Sequence, residues 1–387
     1  MSAQHQTSAT TEAASLPHLP GLPFPHIPQI ALINCDDTKQ EFIDKFGTVP
    51  QIFYDLLRHY LGSFFPLPGK NFGDGVASQS GLSEEDEEII KKRGIPLDPL
   101  KWFGFHRFDA QKGQLPKLNG SVKYDCIILS GSSSSVNDED KWIYRLSDLI
   151  YEVAIGHPNI RLVGVCFGHQ LLCKVLYAPS VHVGPGVWEV GPYAVQLNGT
   201  GTSLFGGLGT LNLEMFHAEA VFTKSFEIHF QHLREKITAH FRSSSDTPSQ
   251  GAASILKPVN PFKPTIWGST EGTACQGTVI FYPKDHGLNY VGQTLGRRSD
   301  ARVRVLTMQG HPELTQDMAK LLLDLFSKPG EGKEAIPPEV AEEARLRIAS
   351  WKGTLDWVRV TRAIWAVASG TSFNDMRLLL LHRPGQK

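Results

Sequence analysis

A cysteine held between two glycines gives this chain a means of nucleophilic chemistry. The apolar run Arg161–Val165 ends at Cys166, with Gly164 two residues before it and Gly168 two residues after. A strand that turns sharply into a helix at a nucleophile forces that residue into strained backbone angles, and side chains on its neighbours would clash, so glycine is what the turn requires. The turn sets the thiol at a helix N-terminus, where orphan N–H groups and the helix dipole favour negative charge, and hence the thiolate. A cysteine at a strand end can also be plain core, packed as a small hydrophobe. A second motif weighs against that. Arg302–Met308 reads as another apolar strand, followed by Gln309, Gly310, His311, Pro312 and Glu313. A thiol nucleophile needs a base, and the base needs an acceptor for its other ring nitrogen. Cys166, His311 and Glu313 supply the three.

Both motifs, in this order, resemble the class I glutamine amidotransferases, whose catalytic domain carries Gly-x-Cys-x-Gly-x-Gln and, far downstream, Gly-His-Pro-Glu. They stand here unbroken as Gly164 to Gln170 and Gly310 to Glu313. Tyr124 to Ser132, with Gly131, looks like the family's strand and oxyanion turn, and Val187 to Gly191 is similar as well. The likeness covers roughly residues 30 to 330, as a lone domain. It implies a flavodoxin-like three-layer α/β/α fold and a cysteine hydrolase that releases ammonia from the glutamine side chain through a γ-glutamyl thioester. It implies an oxyanion hole made by the backbone N–H groups of Gly131 and Phe167. It implies glutamine held by Gln170, one helical turn past Cys166, and by His217. Glu219 stands where the family usually has Asp, so its role stays open between substrate binding and structure. His169 is expected to face away from the nucleophile, as surface or core packing.

These residues need a scaffold. Ile30–Cys35, Lys101–Phe108, Tyr124–Leu129, Ile160–Val165 and Arg302–Met308 read as strands. A helix is expected from about Asp138 to Ile155, and an amphipathic stretch through Phe42, Phe46, Ile52, Phe53, Leu56 and Leu57 follows the helix caps Asp36 and Asp37. Continuous apolar strands alternating with such helices predict an α/β fold, a mostly parallel sheet with its ligand site beyond the strands' carboxyl ends. Val187–Leu197 and Thr210–Phe216 alternate instead, as a small antiparallel appendage. Residues 1–29, rich in Ser, Thr, Ala and Pro, read as a disordered tail. Pro, Gly, Ser and an acidic run interrupt the rhythm near 66–100, an expected insertion. Cys166 and His311 lie farther apart than a minimal family domain requires, so a further one is expected near 224–300, at 224–262 and 284–300. Residues 331–387 read as C-terminal helices on the same domain.

A net charge of −1 and 20% charged residues give no electrostatic reason to expect a nucleic-acid or anionic-membrane partner. Five scattered cysteines without a Cys-x-x-Cys pair form neither a disulfide framework nor a zinc site. No run of roughly 18 apolar residues could span a membrane, and no apolar leader marks secretion, so the expected compartment is the cytoplasm. Gly199 to Gly207 does not follow a parallel strand and open a helix, so a hairpin loop outranks a dinucleotide site. The expectation is therefore an enzyme with no cofactor and no metal, acting on glutamine or a γ-glutamyl compound. Three readings remain: a glutaminase serving a separate synthetase, made switchable by flexible serines Ser132 to Ser135; a freestanding γ-glutamyl peptidase; and a catalytically silent binding or regulatory domain, against which the intact Cys166, His311 and Glu313 argue.

Overall fold

The computed structural model describes residues 27–62, 103–177, 181–223, 264–282, 303–328 and 336–370. The apolar runs become strands because a parallel sheet buried on both faces takes unbroken hydrophobic sequence. β1 (Gln29–Asn34), β2 (Gly104–Asp109), β3 (Cys126–Leu129), β4 (Arg161–Val165) and β9 (Val303–Met308) are parallel neighbours in the order β2-β1-β3-β4-β9. β3, β4 and β9 are buried at every position. Four antiparallel strands continue the same sheet outward from β9: β8 (Gly277–Phe281), β7 (Thr265–Ser269), β5 (Val181–Leu197) and β6 (Thr210–Thr223).

Side chains alternate between the two faces, as strand geometry requires. Ile30, Leu32, Ile128, Val163 and Val165 pack under α2 (Val49–Gly62) and α8 (Trp357–Ser369). Ala31, Ile33, Ile127, Leu129 and Leu162 pack under α3 (Lys141–Gly156) and α4 (Phe167–Tyr177). The result is a three-layer α/β/α arrangement. On its flank, α6 (Gln316–Phe326) and α7 (Pro338–Ser350) bury Leu323, Ala341 and Ile348 against Val190 of β5. α1 (Gln40–Phe46) packs Phe42 near Leu314 and Leu325. No helix among the described residues is long and apolar enough to cross a membrane.

Several local expectations change. The stretch after β1 is two helices, broken where Gly47 takes φ 88, and α1 starts from Lys39 rather than from Asp36 or Asp37. Asp36 instead turns its carboxylate to the serine loop, accepting from the Ser133 N–H and hydroxyl at 2.9 and 3.1 Å. Gln29 belongs to β1 rather than to the tail, its N–H donating to Asp125 at 2.8 Å. Gly199–Leu204 forms a short helix, α5, capped by Asn198, within the connection from β5 to antiparallel β6. The stretch 224–300 contains β7 and β8, two strands of the sheet itself. The segments expected as insertions at 66–100, 224–262 and 284–300, and the tail residues 1–26, lie outside the described residues.

Candidate active site

β4 ends at Val165 and α4 begins at Phe167, which leaves Cys166 alone in the turn. Its φ is 51, the one positive value at a non-glycine among the described residues. Such a conformation costs about 1–2 kcal/mol for an L-residue, so the surroundings must hold it. The Cys166 N–H donates to Met308 O at 2.9 Å, and its carbonyl accepts from Gln170 N–H at 3.0 Å. The flanking glycines permit the close approach. A Cβ on Gly164 would lie 2.5 Å from Gly168 O, and one on Gly168 2.5 Å from Leu129 O. Burial pushes the Cys35 and Cys275 thiols up to about 12 and raises those of Cys126 and Cys173 as well.

The turn after β9 brings His311 to the same end of the sheet. A Cβ on Gly131 would lie 3.0 Å from His311 Cε1 and 3.5 Å from Cys166 Cβ, so the three meet at the ends of β3, β4 and β9. His311 Nδ1–H donates to Glu313 Oε1 at 2.7 Å. Nε2 has no hydrogen-bond partner, and Cys166 is among the groups that act on this ring. Burial alone would lower the proton affinity of this ring, yet Glu313 and the Cys166 thiol outweigh it and hold its pKa well above the ordinary value. The arrangement favours an imidazolium beside sulfur.

Gly131 lies close to the Cys166 Cβ, and Phe167 follows Cys166 directly in the chain. Phe167 opens α4, where the first N–H groups have no intrahelical acceptor. The turn carrying Gly131 is firmly bonded: Ser130 Oγ accepts from Cys35 N–H and donates to Gly131 O, both at 2.9 Å, while Ser130 O accepts from Gly168 N–H. The serines expected to be flexible are tied down. Ser132 Oγ accepts from Ser134 N–H, Ser133 binds Asp36, and Ser135 bonds Asp138 through its N–H and Glu219 Oε1 through its hydroxyl.

The remaining expected residues sit in one polar seam below the sulfur. Gln170 Nε2 donates to Glu219 O at 3.0 Å and to Gln309 Oε1 at 3.2 Å, so its amide faces protein. His217 donates from Nδ1 to Glu219 O at 3.1 Å. Its Nε2 stands 3.0 Å from Glu189 Oε2, as an ion-pair contact rather than an aligned hydrogen bond. Burial opposes the charge on Glu189, but His217, Thr270 and Gln276 hold its carboxyl below the usual range. His169 is fully buried, bonded to Thr307 Oγ1 at 2.8 Å, and kept neutral by burial with its pKa near 3, which is the core half of its expectation.

Four residues around the site escaped sequence reasoning. Gln309 donates to Cys166 Sγ at 3.6 Å. Glu189 reaches His217 through the pairing of β5 with β6, and Gln276 Nε2 donates to Glu189 Oε2 at 2.6 Å. Glu214 is fully buried beside His311, whose N–H donates to Glu214 O at 2.8 Å, and neither of its carboxyl oxygens has a partner. Among the described residues, no group of three or more His, Cys, Asp or Glu side chains is placed to share a metal ion.

Over part of its length the chain is similar in sequence to glutamine amidotransferase-like proteins. A glutamine amidotransferase-like protein of Schizosaccharomyces pombe is 33% identical over 109 residues, 28% of this chain and 41% of its own. Gamma-glutamyl peptidase 4 of Arabidopsis thaliana is 32% identical over 74 residues, 19% of this chain and 28% of its own. The chain thus spans less than half the length of these two relatives. A solved glutamine amidotransferase of Thermotoga maritima aligns over 89% of this chain and 99% of its own, at 14% identity and a TM-score of 0.44. No protein-family model matches the chain.

Proposed function

We propose that the chain hydrolyses γ-glutamyl amides, either the side-chain amide of glutamine or the γ-glutamyl bond of a peptide or conjugate, through a thioester on Cys166. The observation that carries this reading is the strained Cys166 beside the His311–Glu313 pair. The thiolate attacks the amide carbon, and the oxyanion is received by the N–H groups of Gly131 and Phe167, each worth about 3 kcal/mol in the transition state. The C–N bond breaks as the His311 imidazolium gives its proton to the departing ammonia or amine. Water, relieved of a proton by His311, then attacks the thioester; the C–S bond breaks, and the γ-carboxylate and the thiol are restored.

The nitrogen has two destinations. Ammonia would pass to a separate synthetase in an amidotransferase, whereas a freestanding peptidase releases an amine to solvent. The hydrogen bonds holding Ser132 to Ser135 support a site assembled without a partner, and the likeness to a γ-glutamyl peptidase supports the same alternative. Purified wild type and Cys166→Ala, offered glutamine and a γ-glutamyl peptide, test both levels. Wild type should turn over at least one substrate, and folded Cys166→Ala neither. Turnover by Cys166→Ala removes the reading altogether. Full-rate peptide cleavage with glutamine ignored selects the peptidase, and glutaminase activity that appears only with a copurifying synthetase selects the amidotransferase.

A further inference from the structure

Besides the His311 ring, two polar groups reach the Cys166 sulfur and pull its proton in opposite directions. The Phe216 carbonyl, 3.9 Å away, can only accept, so it stabilises the S–H form. Gln309 Nε2, 3.6 Å away, donates, so it stabilises the thiolate, since a hydrogen bond to the charged form favours that form. Which end of the Gln309 amide faces sulfur decides the balance.

That orientation follows from the chain of bonds behind it. Glu219 O is a backbone carbonyl and can only accept, so the Gln170 atom 3.0 Å from it must be the NH₂ group. The same NH₂ lies 3.2 Å from the side-chain amide of Gln309, which must therefore present its oxygen there. The Gln309 NH₂ is left for the sulfur. The backbone is anchored too, Gln309 N–H donating to Gln276 O at 2.9 Å, and the side chain is fully buried, so water does not compete for the bond.

We propose that Gln309 is a catalytic residue that stabilises the Cys166 thiolate by direct hydrogen bonding, and that Gln170 is the positioning residue that fixes its amide. This rests on the reading of Cys166 as the nucleophile, but its test needs no turnover. The rate of Cys166 carbamidomethylation by iodoacetamide, followed by mass mapping across the pH range in the full chain, reports the thiolate fraction directly. A charge-assisted hydrogen bond lost from a buried sulfur should move the midpoint up by about one pH unit, a roughly tenfold slower reaction below the midpoint. Gln309→Met, which keeps the volume and loses the donor, should show this shift. Gln170→Met should show a smaller one in the same direction, because Gln309 remains but its amide is free to turn. A wild-type profile in folded Gln309→Met overturns the proposal; if that variant does not fold, a wild-type profile in Gln170→Met does so. If the shifts appear while wild type hydrolyses neither glutamine nor a γ-glutamyl peptide, the hydrolase reading fails and the assignment of Gln309 stands.

Discussion

His311 and its two carboxylate neighbours make opposite electrostatic demands. Glu313 is bonded to Nδ1 and helps hold the ring's proton. Glu313→Gln keeps a hydrogen-bonding oxygen but removes the charge that stabilises the imidazolium. Hydrolysis should therefore fall by roughly a hundredfold or more, though less completely than in Cys166→Ala. A wild-type rate in steady-state kinetics would remove Glu313 from the triad. Glu214 is the reverse case. Burial raises its pKa from 4.5 to about 7, against the pull of His311 and Lys320. A carboxyl whose folded pKa lies above its unfolded one contributes stability that is present below the ordinary carboxylate range and is lost as pH rises through about 7. Glu214→Gln cannot ionise. Its stability relative to wild type should thus grow by up to about 3 kcal/mol between roughly pH 5 and pH 8, measured by urea unfolding at both. A stability difference independent of pH would contradict the buried, unpaired carboxyl.

At the scale of elements, the elbow works because β3, β4 and α4 approach more closely than any side chain allows. Gly168→Ala would drive a methyl into Leu129 O, which is backbone and cannot swing aside. The expected loss is about 1–3 kcal/mol of stability, with a fall in activity as the Gly168 N–H to Ser130 O bond is strained. Denaturation within about 0.5 kcal/mol of wild type would show that the turn can open freely. The elbow was legible in sequence because its rule is local: two glycines at fixed offsets from a cysteine at the end of an apolar run. The broken helix after β1 was less so, since Gly47 ends α1 by a positive φ that apolar spacing does not reveal. β7 and β8 were missed as five-residue strands among Gly and Thr, although β8 pairs with β9, the strand that leads to His311. Gln309 stood inside a recognised motif without a role. Its reach to sulfur depends on the register that sets Val165 beside Met308, which no spacing within either motif reveals.

Across the whole molecule, the three site segments share one support. α8 packs on β3, β4 and β9, the strands whose ends carry Gly131, Cys166 and His311, and it does so from the sheet face opposite α3 and α4. Its Trp365 is fully buried, edge-on to Phe103 with ring centroids 5.6 Å apart. The periodicity of this helix is readable in sequence, whereas the sheet face it covers follows only from the order of strands far from it in the chain. Trp365→Ala should cost about 3–5 kcal/mol, because a cavity this size between a helix and three strands cannot collapse without moving all of them. The consequence for function is separable. Trp365 lies on α8, on the sheet face opposite α4 and the elbow that α4 follows, so hydrolysis per folded molecule should stay near wild type at low temperature while the denaturant midpoint falls sharply. If activity per folded molecule falls as steeply as stability, the strand ends are not fixed by their own hydrogen bonds and glycine contacts. α8 would then have to be counted as part of what positions the site.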